Sequence, residues 1–227
     1  MDTPEAWRRW LAGFPKEPPE RMAIALAAVD AFGRCQQTGS LEQADLESVL
    51  KAASAPHKLI YGTGCRLLMK LAALNGQALE SVRAAAQTGS AALRFRMMAY
   101  LERTLPEPFC VELLGGGLKD ISARVRTFAV QRAELLGYRA LLPALEALLA
   151  DEKDPQVRST LEFHLPLLRS GYGLTPQGDG REGFMLRVSY RGGLKAMEIS
   201  SSDAEPRNVE RLVNEVWKEH GRPLRTP

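Results

Sequence analysis

The sequence has few residues of the kinds that build metal centres or disulfide frameworks. Its 227 residues include only three cysteines and three histidines. Cys35, Cys65 and Cys110 are an odd number set far apart, which argues against a disulfide framework. We expect these thiols to be reduced and buried. No histidine stands at ligand spacing from another histidine or a cysteine, so no metal site is predicted.

Long apolar runs and processing signals are also missing. The longest apolar stretch, residues 22–29, ends at Asp30 and is far shorter than the roughly 18 residues that span a bilayer. The N-terminal segment carries charges and two tryptophans instead of the apolar core and cleavage site of a signal peptide. These features predict a cytoplasmic protein with no transmembrane segment.

Catalytic and cofactor motifs are absent as well. The chain has no nucleophile elbow, no phosphate loop and no dinucleotide-binding glycine pattern, so no cofactor is predicted and no motif indicates an enzyme. The glycines at 115–117 lack a following Lys-Ser/Thr and are interpreted as a flexible connection. The glycines at 62 and 64 fall inside a predicted helix and mark either a helix break or a close helix contact.

Helical periodicity dominates the first three quarters of the chain. Apolar residues recur at three- and four-residue steps, and glycine and proline fall between these runs. The pattern predicts ten helices, at residues 4–14, 19–36, 41–54, 57–75, 77–88, 91–105, 107–115, 120–136, 139–151 and 155–170.

An arginine recurs in this helical region at a nearly constant spacing. Arg66, Arg96, Arg126 and Arg158 each follow an apolar residue or cysteine, at steps of 30, 30 and 32 residues. A period near 30 accommodates two short antiparallel helices, and such a unit must stack on the next to bury its apolar face. We therefore expect the four arginines to form a column at one level of a stack.

Residues 119–168 add turn and apolar features to this period. The features are Leu-Leu-Gly at 135–137, Ala-Leu-Leu-Pro-Ala-Leu at 140–145, and acid-to-arginine runs at 120–126 and 154–158. Asp120 and Asp154 stand where an N-cap carboxylate can accept from the free amides of a helix. The segment resembles bacterial HEAT repeats of the short, lyase-associated type, which are armadillo-like. The resemblance implies a right-handed α-solenoid of antiparallel helix pairs, with arginines that brace the repeats.

The character of the sequence changes after residue 170. Alternating apolar residues from Phe184 and a helix from Pro206 predict a small ββα appendage, either an end cap for the solenoid or a separate module. The predicted organisation is a helical cap or degenerate repeats at 1–55, a HEAT-like solenoid at 56–170, a glycine-rich linker at 171–183, the appendage at 184–220 and a tail at 221–227.

Two residue clusters are candidates for binding. Arg94, Arg124 and Arg132 contribute to a net charge of +4 over residues 56–170 and form a candidate basic surface for phosphate. At the N-terminus, Trp7 and Trp10 with Leu11 and Phe14 form one apolar helix face. That face either caps the first repeat or anchors the protein to a partner groove or a membrane surface.

These observations support three functional hypotheses. The first is a non-enzymatic adaptor or scaffold that binds a protein or peptide partner on the concave face of a solenoid. The second is a nucleic-acid-binding protein similar to the HEAT-like DNA glycosylases. The third is an accessory subunit that offers an open strand edge of its C-terminal appendage to a partner.

Overall fold

The chain is mainly helical, as the sequence predicts. A computed structural model describes residues 1–177, 182–190 and 193–223. Within these ranges there are eleven α-helices and one three-stranded antiparallel sheet near the C-terminus. Contacts divide the chain into two compact units, Met1–Gly117 and Leu118–Pro227.

The first unit is built from helices, which begin at polar caps or prolines. Thr3, Asn75 and Ser90 accept hydrogen bonds from backbone amides at the starts of three of them. Gly39 ends the second helix with a φ of 72°, a conformation that favours glycine. The helices are α1 (Pro4–Ala12), α2 (Pro19–Thr38), α3 (Gln43–Ser54), α4 (Lys58–Ala72), α5 (Gly76–Thr88), α6 (Ala91–Tyr100) and α7 (Glu107–Gly117).

Helix α4 is central to this unit and packs against α2, α3, α5 and α6. It continues without a break through the glycines at 62 and 64. A Cβ placed on Gly64 would lie only 2.2 Å from the backbone nitrogen of Ala53 in α3. Of the two sequence interpretations, the close helix contact is therefore correct, because only glycine lets the two backbones approach this far.

The second unit begins with α8 (Ala123–Leu136), a short 3₁₀ turn at Arg139–Leu141, α9 (Leu142–Asp151) and α10 (Pro155–Ser170). Helix α10 packs against both α8 and α9. The carboxylate of Asp154 accepts from the amides of Gln156 and Val157, as expected of an N-cap. The N-cap expected at Asp120 is wrong. Ser122 occupies the N-cap position of α8, and the Asp120 carboxylate accepts from the Ser122 amide instead.

A three-stranded sheet and a final helix complete the second unit. The strands are β1 (Tyr172–Pro176), β2 (Phe184–Tyr190) and β3 (Gly193–Ile199), in that order across the sheet, and α11 (Pro206–His220) follows. Strands β1 and β2 contact α10, and α11 packs on β2. The apolar core between sheet and helix consists of Leu186, Val188, Val209, Val213 and Val216.

Two predictions about glycine-rich segments are wrong. Part of the expected linker at 171–183 is strand β1, so the appendage is βββα and not ββα. Tyr172 and Leu174 alternate with Gly173 and Thr175, and pairing with β2 stabilises this short strand. The glycines at 115–117 continue α7 and do not form a connection outside it. Residues 178–181 of the expected linker and 224–227 of the expected tail lie outside the described residues.

Two further predictions, on the state of the cysteines and on membrane-spanning segments, can be compared with the described residues. All three cysteines are buried and free, as expected from their spacing. Burial raises the pKa of the Cys65 thiol to about 12. No helix in the described ranges is long and apolar enough to cross a membrane.

Candidate binding pocket in the first unit

The large apolar residues of α1 and of the turn that follows it divide into a buried and an accessible pair. Trp7 and Leu11, four residues apart, are each only 1% exposed, so they belong to the core. Trp10 and Phe14 form the neighbouring stripe, in edge-to-face contact with 5.1 Å between their ring centroids. Trp10 is half-buried and Phe14 is 39% exposed. Trp7 and Leu11 therefore anchor the helix, while Trp10 and Phe14, which lies two residues beyond the helix end, form a second and more accessible stripe.

This second stripe forms one wall of a cavity of about 340 Å³, which we call the aromatic pocket. Its remaining walls come from the segment after α1, from the start and middle of α4, and from the end of α6. The residues that line it are Trp10, Phe14, Glu17, His57, Lys58, Leu59, Gly62, Arg66 and Tyr100.

A reciprocal pair of arginine–tyrosine stacks joins α4 to α6 at the side of the pocket. The Arg96 guanidinium of α6 lies 3.8 Å from the ring centroid of Tyr61 in α4. In return, Arg66 of α4 lies 5.6 Å from the ring centroid of Tyr100 in α6. Arg96 is buried and donates from Nη1 to the carbonyl of Ala53 at 2.9 Å, whereas Arg66 is exposed. Arg96 therefore forms its contacts in the interior of the unit, whereas Arg66 lies at the pocket.

Two polar atoms on the pocket lining lack a hydrogen-bond partner. His57 Nε2 lies 3.4 Å from Glu17 Oε1. The other atom of each pair, His57 Nδ1 and Glu17 Oε2, is buried without a hydrogen bond in the described chain. Buried polar side-chain atoms are hydrogen-bonded in the large majority of cases, so each exception needs a reason. Both atoms have almost no accessible surface, so a bound group could reach them only after the lining had rearranged.

Lys58 and Arg66 bring positive charge to the same pocket. Within the described residues, neither forms an ion pair or a side-chain hydrogen bond, although Arg66 stacks on Tyr100. Burial raises the pKa of the Tyr100 hydroxyl, against a smaller opposing effect of Arg66. The Tyr100 hydroxyl therefore stays protonated near neutral pH and is available to donate a hydrogen bond.

A larger cavity in the second unit, of about 510 Å³, has a different character. On its lining, Arg126 forms a bidentate ion pair with Glu152, at 2.7 and 2.8 Å. Arg126 also donates to the Asp120 carbonyl, and Glu152 also accepts from the amides of Lys153 and Asp154. The hydrogen bond from Arg126 is the main cause that lowers the pKa of Glu152 to about 2. Because Arg126 and Glu152 bond to each other and to the nearby backbone, we interpret this ion pair as structural.

The other residues singled out in the sequence are distributed over both units. Arg158 lies 4.0 Å from Glu162 and 3.5 Å from the Glu152 carbonyl, a weak pair of contacts. Arg94 belongs to the first unit and donates to the Gly89 carbonyl, while Arg124 and Arg132 lie on α8 of the second. Each of these last three has a further interaction within the chain. A basic surface for nucleic acid stays a prediction.

Sequence reasoning missed most of the pocket. Trp10 and Phe14 were visible as an aromatic pair at helical spacing, but Glu17, His57 and Tyr100 were not connected to them. The remaining histidines lie next to carboxylates, His164 with Glu134 and His220 with Glu219. Across the described ranges, no group of three or more His, Cys, Asp or Glu side chains is placed to hold a metal ion.

Two comparisons with known proteins were informative only in what they did not find. No protein family matches this chain, and no curated protein matches it significantly. The resemblance to HEAT repeats therefore stays a prediction, based on the repeat residues at 119–168 and on the arginine spacing. The function has to be argued from the pocket itself.

Proposed function

We propose that this protein is a non-enzymatic adaptor that binds a protein partner, and that the aromatic pocket of the first unit is part of its binding surface. The observation that carries the proposal is an accessible aromatic pair beside positive charges that have no ion pair in the described chain. Trp10 and Phe14 line the pocket together with Lys58 and Arg66. In the larger cavity of the second unit, by contrast, Arg126 and Glu152 pair with each other.

The lining favours binding over chemistry. Accessible aromatic residues next to polar groups are typical of the central residues of protein interfaces. Trp10 and Phe14 offer apolar area with few rotatable bonds, which limits the entropy lost on binding.

The helical packing supports the proposal that each unit is a piece of a right-handed α-solenoid. In the first unit α4 packs against both α5 and α6, and in the second α10 packs against α9 and α8. Contacts between every second helix are expected when helix pairs stack as repeats. A stack of this kind presents side chains along an extended surface, which suits an adaptor.

Site-specific photocrosslinking tests the adaptor function. A photoreactive amino acid replaces Phe14 in the full chain, and the same amino acid at Leu74 is the control, because Leu74 is 66% exposed in the same unit but outside the pocket. We expect a discrete adduct with a protein of the native source at position 14 and none at 74. Excess wild-type protein should suppress the adduct, and excess Phe14→Ala protein should not. Equal adducts at both positions, or none at 14, would overturn the proposal.

The edge strand β3 supports a second candidate, an accessory subunit that binds through its C-terminal appendage. Among the described strands β3 pairs only with β2, and Leu194, Ala196 and Glu198 on its outer face are exposed. A partner strand could extend the sheet at this edge. Ala196→Lys should abolish such pairing, because edge lysines oppose it. Ser201→Lys, outside the strand, is the control, and a partner that still binds Ala196→Lys would exclude this candidate.

A further inference from the structure

We infer that the aromatic pocket binds an acidic peptide segment, in which an apolar side chain packs against Trp10 and Phe14 while the carboxylate of a neighbouring Asp or Glu pairs with Arg66. The inference rests on the proposed adaptor function and specifies the chemistry of its partner.

Arg66 is the group that selects for a carboxylate. Its guanidinium carbon lies 5.6 Å from the ring centroid of Tyr100, and its N–H donors have no acceptor in the described chain. Other arginines of the first unit already bind a carboxylate within the chain, since Arg34 pairs with Asp45 and Arg83 with Glu112. A planar, oriented guanidinium binds a carboxylate through two parallel hydrogen bonds.

The charges that face the pocket favour an anion. Glu17 is the only acidic residue on the described lining, and its charge is opposed by Arg21 Nη1 at 3.8 Å. Lys58 and Arg66 remain as unpaired positive charges. A cationic side chain would therefore approach two like charges, and an acidic one would approach two opposite charges.

The neutral part of the pocket calls for a peptide and not for a simple organic acid. Trp10, Phe14 and Leu59 supply an apolar wall of the kind that an aliphatic or aromatic side chain covers. A cavity of about 340 Å³ has room for one large side chain and part of its neighbour. An apolar residue beside an acid meets all of these demands.

NMR titration of the full chain with short capped peptides tests the inference. The probes are acetyl-Gly-Asp-Phe-Gly-amide and its variants with Asn or Lys in place of Asp, or Ala in place of Phe. The Trp10 indole N–H signal reports on the pocket, and that of Trp217 is the internal control, because Trp217 lies in the second unit and donates to the Ser189 carbonyl. We expect the Asp-Phe peptide to shift the Trp10 signal, and each replacement to weaken binding by about fivefold or more.

Charge variants separate recognition of the acid from general attraction. Arg66→Gln should reduce affinity for the Asp-Phe peptide to that of its Asn variant and should leave affinity for the Asn variant unchanged. Arg9→Gln is matched in charge, since Arg9 is exposed on α1 and outside the lining, and it should have little effect. Raising NaCl from about 50 to about 300 mM should weaken the Asp-Phe peptide but not its Asn variant.

Several results would overturn the inference. These are equal binding of the Asn peptide, tighter binding of the Lys peptide, or unchanged affinity in Arg66→Gln. Tight binding only of a peptide with a free C-terminus and no acidic side chain would assign the site to a terminal carboxylate instead. If Arg66→Gln leaves the crosslink at position 14 intact, the adaptor function stands and the acidic segment is wrong. If no crosslink forms at position 14, the adaptor function itself is wrong.

Discussion

Replacing Glu152 by glutamine removes one charge of the buried ion pair in the second unit and tests how much that pair stabilises the fold. The Glu152 side chain is only 4% exposed, and its two oxygens accept from Arg126 and from the amides of Lys153 and Asp154. In Glu152→Gln an NH₂ group replaces one of these oxygens and faces a donor. The variant therefore loses the ion pair and leaves at least one donor unsatisfied.

The expected magnitude follows from the pKa of Glu152, which is lowered from 4.5 to about 2. At about 1.4 kcal/mol for each tenfold change in proton affinity, ionised Glu152 contributes about 3 kcal/mol to the free energy of unfolding. Because the folded-state pKa is below the unfolded value, this contribution is complete above about pH 4.5 and declines as the pH falls toward 2. We expect Glu152→Gln to be destabilised by about 3 kcal/mol at pH 7, and by roughly half of that at pH 3.

The assay is urea unfolding followed by the Trp217 indole N–H signal, because Trp217 lies in the same unit as the ion pair. Glu162→Gln is the control. Its carboxylate is 58% exposed and lies 4.0 Å from Arg158, so the loss should stay below about 0.5 kcal/mol. A loss below about 1 kcal/mol for Glu152→Gln at pH 7, or a loss that is the same at pH 7 and pH 3, would refute the reasoning.

Two further predictions concern close packing in the first unit. Gly64→Ala should destabilise that unit by about 3 kcal/mol or prevent its folding, because the new Cβ meets the Ala53 backbone. Gly116→Ala has open space around it and should be neutral or stabilising by up to about 1 kcal/mol, so equal urea midpoints for the two variants would contradict the packing. The three buried thiols, with Cys65 at a pKa of about 12, should react with a thiol reagent at pH 8 far more slowly than in urea. Rapid reaction of any one of them in the native protein would contradict its burial.

Local signals in the sequence were enough to locate the helices. Periodicity and punctuation by proline and glycine predict each of the ten helices before residue 171. The errors in secondary structure occur where contacts with other parts of the chain outweigh the conformational preference of the local sequence. Strand β1 was missed because Gly173 and Pro176 indicate a linker, while pairing with β2 makes the segment a strand. The ends of helices such as α6, which stops at Tyr100 and not at 105, depend on tertiary contacts in the same way.

The pocket could be predicted only in part, since its walls come from distant parts of the chain. The i,i+4 relation of Trp10 and Phe14 is visible in the sequence, but the sequence leaves open whether this apolar face caps the first repeat or stays accessible. Their neighbour Tyr100 is 86 positions beyond Phe14, and no local rule connects the two. The pairing of Glu17 with His57 is hidden for the same reason, because a loop and a helix start meet only after α2 and α3 have packed.

The regular arginine spacing predicts positions but not partners, and the arginines of the series are bonded to different extents. Arg126 donates to the carboxylate of Glu152, 26 residues later in the chain. Arg96 Nη1 donates to a carbonyl 43 residues earlier, while Arg96 Nε is buried without a partner in the described chain. Arg66 has the same place in the predicted repeat, but its guanidinium lies over a tyrosine ring at 5.6 Å from the centroid. This contact leaves its N–H donors without a hydrogen-bond acceptor in the described chain. An acceptor from outside the chain can therefore bind without displacing any internal hydrogen bond of Arg66.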